Sequence, residues 1–247
     1  DYISGREEDG LTQPVTLMFQ MQNTGAPVPH TLPKGCYTYN SVNDLPQGRL
    51  LRWERNETGT LLVNMTRVKG NGAVIDDINY FEYEALKQVF SVSDYLQRNG
   101  YENYVLSSIG SQTGVRESNQ VVGEYTLSDK DIITAQKFED VVAQTNYEID
   151  IHSPDGGKST KERKIDSYDI PYRCMIPKDK DKILVSGRAI SATHMAMSSL
   201  RVMPTCFALG QAAGIAASIA LDNDCKLADV NIHTLHDTLS KQGVEFY

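Results

Sequence analysis

The chain has 247 residues, 40% of them hydrophobic and 23% charged, which is ordinary for a globular protein of one large or two small domains. A net charge of −8 without any basic cluster argues against nucleic acid as a partner. The longest apolar run, Phe207 to Leu221, is broken by Gln211 and is shorter than a bilayer span, so no membrane partner is expected.

The N-terminal stretch Asp1 to Asp9 has no signal-peptide character, and it lacks an initiator Met, so a processed chain or a piece of something longer is expected. Residues 14–22 read as a strand, and residues 23–58 as a long Gly-, Pro- and Asn-rich segment with turns at Asn23 to Gly25 and Pro46 to Gly48. A second strand is predicted over residues 60–68. Residues 78–98 switch period: Phe81, Ala85, Val89, Val92 and Leu96 recur at helical spacing, with Gly100 just past the end. A glycine-containing turn over residues 109–117 leads to a strand over 120–126, and Ser128 followed by Asp129 and Asp131 resembles a helix N-cap. Residues 147–152 alternate as a strand, residues 158–167 are charged and exposed, and Tyr168 to Arg173 is extended ahead of and through Pro171.

The composition changes near residue 182. From Ile183 the chain reads as a short buried strand, a polar turn containing Gly187, and a helix opened by Pro204 and built almost wholly of small residues. A turn and a helix N-terminus aimed at one spot suit an electron-rich group. Ser191, Thr193, His194, Ser198, Ser199 and Arg201 crowd into this stretch without one Lys, Glu or Asp, unlike a solvated loop. Gly187 serves either close approach to a bound group or a tight turn. Two glycines inside the helix, Gly210 and Gly214, cost about 1 kcal/mol each against Ala, so a packing reason is expected.

Other candidates carry plain alternatives. His152 closes a strand, a position where site residues often sit, although a lone histidine is more often structural. Arg67, Arg116 and Arg173 stand near element boundaries, where arginines also form surface ion pairs, and Arg116 with Glu117 also reads as part of a buried structural network. The cysteines Cys36, Cys174, Cys206 and Cys225 are widely spaced, without C-x-x-C, and read as reduced buried thiols; no metal site is expected, while a disulfide and hence the compartment, cytoplasmic or periplasmic, stay open.

Several stretches taken in order resemble the FAD-dependent oxidoreductases, in particular flavoproteins often labelled xanthan lyases. They are Gly5 to Glu7, Val63 to Arg67, Gly114 to Glu117 with Val122 to Tyr125, Tyr147 to His152, Ile170 to Arg173, and Val185 to Gly214. The last is the most specific and looks like a second flavin-contacting segment. Two features depart from the pattern. Asn119 stands where relatives tend to carry an arginine. No Gly-x-Gly-x-x-Gly opens a strand–turn–helix: Gly70 and Gly72 are followed by Ile75 in the third position.

The resemblance implies an α+β fold: a mainly antiparallel substrate domain, residues 1–182, followed by a C-terminal segment, 183–247, of an FAD-binding domain. It implies oxidation of an organic small molecule by hydride transfer to FAD. Gly187, Arg188, Ser191, Val202 and Met203 are then cofactor-binding candidates. His194, His152 and Arg201 are catalytic candidates, and Arg67, Arg116 and Arg173 bind substrate. Without the pyrophosphate cradle the chain is expected to hold FAD poorly and to expose an apolar face over residues 204–221, with a homo-oligomer as one consequence. The rival reading is a non-catalytic carbohydrate-binding or interaction domain, with Trp53 as a stacking surface and the last helix as core.

Overall fold

A computed structural model describes residues 1–29 and 31–246. In chain order the strands are β1 (Tyr2–Ser4), β2 (Phe19–Asn23), β3 (Arg52–Arg55), β4 (Thr60–Val63), β5 (Tyr104–Ile109), β6 (Asn119–Val121), β7 (Val141–Thr145), β8 (Ile149–His152), β9 (Thr160–Arg163) and β10 (Tyr168–Pro171). The α-helices are α1 (Ile75–Gln97), α2 (Asp129–Ile133), α3 (His194–Leu200), α4 (Met203–Asp222) and α5 (Ile232–Lys241). The fold class is α+β. The chain forms two compact units: an inner one, Gln13–Arg116 with His152–Thr160, and a terminal one, Asp1–Thr12, Glu117–Ile151 and Lys161–Tyr247.

The inner unit is a four-stranded antiparallel sheet in the order β3-β4-β2-β5 with α1 beside it. Strand alternation fixes its register: Phe19 and Met21 turn inward opposite Val63 and Leu61, and all four are buried while Gln20 faces out. The helix buries Phe81, Ala85, Val89, Val92 and Leu96 in the same core, as their spacing predicts. Asp76 and Asp77 lie in its first turn, where the helix dipole favours them, and Gly100 follows its end at φ +95°.

The terminal unit has two small antiparallel ladders, β1 with β6 and β7 with β10. Its core gathers Tyr168, Ile170, Tyr172, Ile190, Met197 and Leu200 with one face of α4: Leu209, Ala212, Ala216 and Ile219. Ser128 caps α2 through a reciprocal pair, its Oγ accepting from the Asp131 N–H at 3.3 Å and its own N–H donating to Asp131 Oδ2 at 2.8 Å. The opposite face of α4 is open. Met203, Phe207 and Leu221 are 73%, 71% and 82% exposed, and nothing lies within 4 Å of where a Cβ on Gly210 or Gly214 would sit. The exposed apolar face expected for this helix is therefore present, while its two glycines have no packing partner among the described residues.

Three expectations need correction. Ile183–Ser186 is extended but forms no ladder; Val185 N–H donates to Met175 O at 2.9 Å, and Ile183 is half exposed, because no strand lies alongside it among the described residues. The polar stretch read as one turn contains a short helix, α3, started by the Thr193 cap. The last helix starts where Pro204 places it, but the apolar run read as shorter than a bilayer span belongs to a helix of 20 residues, Met203–Asp222, long and apolar enough to cross a membrane by length and composition alone, yet with one face packed on the protein core. Strands β1, β3, β5, β7 and β9 and helix α5 have no assignment from the sequence; β3 lies in the segment read as irregular and β9 in the one read as charged and exposed.

Phe81→Ala should lower the unfolding free energy by about 3–5 kcal/mol in urea titration, since the ring is fully buried. Gly210→Ala should raise stability by about 0.5–1 kcal/mol, because the position is helical and open. A loss of stability would show that something already packs there.

Candidate functional site

Between Ile190 and Met203 the polar side chains divide into two groups. Most are committed to holding the fold. Ser191 Oγ pairs with Thr126 Oγ1 at 2.8 Å, and Ser198 Oγ donates to Met195 O at 2.7 Å. Ser199 Oγ donates to Tyr147 O at 2.6 Å and accepts from Tyr168 OH at 2.9 Å. Thr193 caps α3 at the Ala196 N–H and donates to Asp129. Ser191 is thus a fully buried tie, with its Cβ filling the space a Cβ on Gly123 would take, 2.7 Å away.

His194 and Arg201 are different. His194 opens α3, and its Nδ1 lies 2.9 Å from Glu117 Oε1 and 2.8 Å from Oε2. The Glu117 side chain is fully buried and that of His194 is 11% exposed. The other ring nitrogen, Nε2, is buried and has no hydrogen-bond partner among the described residues. Arg201 donates from Nη2 to Asp150 O and Oδ2, both at 3.1 Å, while its buried Nε likewise has no partner among the described residues. Burial pulls the Arg201 guanidinium below its ordinary pKa; the charges of Asp150, Tyr147 and Glu117 push the other way.

Glu117 is the site residue that sequence reading did not single out. It was weighed only as a network partner of Arg116. Consecutive side chains on extended backbone point to opposite sides, and the two part company here: Arg116 Nη1 donates to Pro14 O at 2.7 Å, and Glu117 turns to His194.

The start of α4 follows directly. Val202 occupies the N-cap position, where its side chain cannot accept a hydrogen bond, and proline follows within the first turn, so no side chain caps this helix. Gly187 begins a short 3-10 turn, Gly187–Ala189, at φ +64°, a left-handed conformation that favours glycine. A Cβ there would meet Cys206 Sγ only at 3.8 Å, so conformation rather than crowding selects the residue. Arg188 is exposed beside it. Burial pushes the Cys206 thiol up in pKa, and the nearby Arg188 charge opposes that.

Gly187, Arg188, Ser191, His194, Arg201, Val202, Met203 and Arg173 all belong to the terminal unit; His152, Arg67 and Arg116 belong to the inner one. Arg173 pairs with Asp140, Nε to Oδ2 at 2.9 Å and Nη2 to Oδ1 at 3.1 Å, and lies over the Tyr125 ring. Arg67 is buried and donates to Gln47 Oε1 at 3.3 Å and Ser159 O at 3.0 Å. His152 is buried, and its backbone N–H donates to Gln13 Oε1 at 3.2 Å.

The family model for FAD dependent oxidoreductases matches residues 1–239. The chain belongs to that family: it is an oxidoreductase flavoprotein whose cofactor is FAD and whose substrate is a small molecule. No curated protein and no solved structure matches it. The residues present fit a flavin. His194 Nε2 and Arg201 Nε are buried without partners among the described residues, and a 20-residue helix presents a first turn that no side chain caps, which suits an electron-rich ring edge.

Asp150→Ala should destabilise the protein by about 3 kcal/mol in urea unfolding, because it strips the mostly buried Arg201 charge of its carboxylate partner. A change within about 0.5 kcal/mol, the range of ordinary surface substitutions, would mean that water already screens Arg201.

Proposed function

We propose that this chain carries the substrate-side groups and the closing flavin segment of an oxidoreductase that oxidises an organic small molecule by hydride transfer. Residues 1–182 are the substrate domain in this reading, and residues 183–247 complete an FAD-binding domain. The observation that carries it is His194: a mostly buried imidazole, held at Nδ1 by a buried carboxylate, with a buried and unpartnered Nε2 nine residues ahead of an uncapped helix.

When bound, FAD supplies the hydride acceptor. Backbone N–H groups at Val202 and Met203 would hold its ring edge, Pro204 having none to offer, and the helix end would favour negative charge there. Gly187 lets the backbone turn toward it, Arg188 supplies a positive charge beside that turn, and Ser191 braces the segment from below. His194 takes or orients a substrate proton through Nε2. Arg201 offers its buried Nε to an oxygen of the substrate, and Asp150 holds the guanidinium in place. His152 is a second candidate base. Support for Arg67, Arg116 and Arg173 in binding an oxygen-rich or anionic substrate comes from the resemblance alone.

The reading as a carbohydrate-binding domain required α4 to serve only as core. Its exposed Met203, Phe207 and Leu221 speak against that, as does the family match.

The test is flavin bleaching. With FAD-loaded protein and a substrate that reduces the wild type without oxygen, His194→Ala should slow reduction by about 10²–10⁴-fold, the share general acid–base catalysis supplies, with FAD content unchanged. Reduction at the wild-type rate would remove His194 from the chemistry.

A further inference from the structure

We infer that Glu117 is a positioning residue that fixes the His194 ring with its proton on Nδ1, making Nε2 an acceptor, so that the substrate presents an O–H or N–H group there. This rests on the reading of His194 as a substrate-side group.

Both Glu117 oxygens lie within 2.9 Å of Nδ1. An ionised carboxylate only accepts hydrogen bonds, so Nδ1 carries the hydrogen. A neutral imidazole has one N–H, which leaves a lone pair on Nε2. Nε2 is buried with no partner among the described residues, and buried polar atoms in folded proteins are nearly always satisfied. The group that satisfies it must donate.

The ring cannot readily exchange its two nitrogens. His194 is the first residue of α3, directly after the Thr193 cap, and its side chain is 11% exposed against a carboxylate with no exposure at all. Turning the ring over would put carbon where Nδ1 faces the buried Glu117 carboxylate and would cost that carboxylate its hydrogen bond from the ring.

A bare carboxylate or carbonyl oxygen would meet the Nε2 lone pair and be repelled. An alcohol or amine would donate to it. If the proton is transferred, the electron pair of the O–H or N–H bond stays on the substrate heteroatom and the proton goes to Nε2. The resulting imidazolium keeps its Nδ1–H on Glu117, so its charge is balanced without any movement of protein groups.

Long-range proton–nitrogen NMR on FAD-loaded, nitrogen-15-labelled protein at alkaline pH, where imidazoles are neutral, reads the tautomer directly. His194 is one of five histidines and is assigned by the loss of its signals in His194→Gln. The expected pattern is a protonated Nδ1 and a bare Nε2. In Glu117→Gln that preference should disappear and flavin reduction should slow about 10²-fold, at unchanged FAD content. A wild-type ring protonated at Nε2 overturns the inference and needs no variant that folds. The Nδ1–H pattern together with an undiminished rate in His194→Ala would instead overturn the catalytic reading and leave the hold of Glu117 on the ring standing.

Discussion

A carboxylate with no exposed surface constrains everything around it. Taking an ionised carboxyl group out of water costs several kcal/mol unless hydrogen bonds replace the lost hydration. Glu117 meets that demand in part through His194, and the requirement reaches outward. His194 must sit where its ring can face Glu117, which places the start of α3; Thr193 must cap that start and reach Asp129, the first residue of α2. Seven helical residues later the chain turns at Arg201 into α4, with Arg201 itself fastened to Asp150. A line of buried polar contacts thus leads from Glu117, just ahead of β6, to the start of α4.

The two units resolve their apolar surface differently. In the inner unit the sheet and α1 bury each other, and the alternation of Phe19 and Met21 finds its complement in Val63 and Leu61. In the terminal unit α4 buries only one stripe, and the other carries Met203, Phe207, Gly210, Gly214 and Leu221 into the open. A helix of this composition has small residues at the centre of its exposed stripe and large ones at both ends. The segment Ile183–Ser186 likewise has no strand beside it among the described residues.

Membership in the FAD dependent oxidoreductase family gives these features a common sense. The cofactor brings the redox chemistry; the polypeptide has to orient it, stabilise developing charge and manage a proton. The uncapped first turn of α4 suits the second task and the Glu117–His194 pair suits the third. Arg201 adds a buried positive charge in the same unit, its guanidinium anchored by Asp150.

Local chemistry was legible in the sequence wherever short-range rules decide. The 3.6-residue recurrence of Phe81 to Leu96 specifies α1, Ser128 with Asp131 specifies the start of α2, and proline within the first turn marks the start of α4. The order of family-like stretches, ending in Gly187 to Gly214, pointed to FAD. What short-range rules cannot reach is pairing across long separations. β5 and β7 are strands because β2 and β10 lie beside them, and Ile183–Ser186 is not one because nothing does. Likewise His194 was identifiable as a candidate from its neighbours, but its partner lies 77 residues away. Only the folded chain could separate Arg116 from Glu117, commit the serines to structural bonds, and leave Nε2 of His194 buried without a partner among the described residues. Residue type fixes what a side chain is able to do; burial and the partners brought by distant segments decide which of those capacities the fold itself uses.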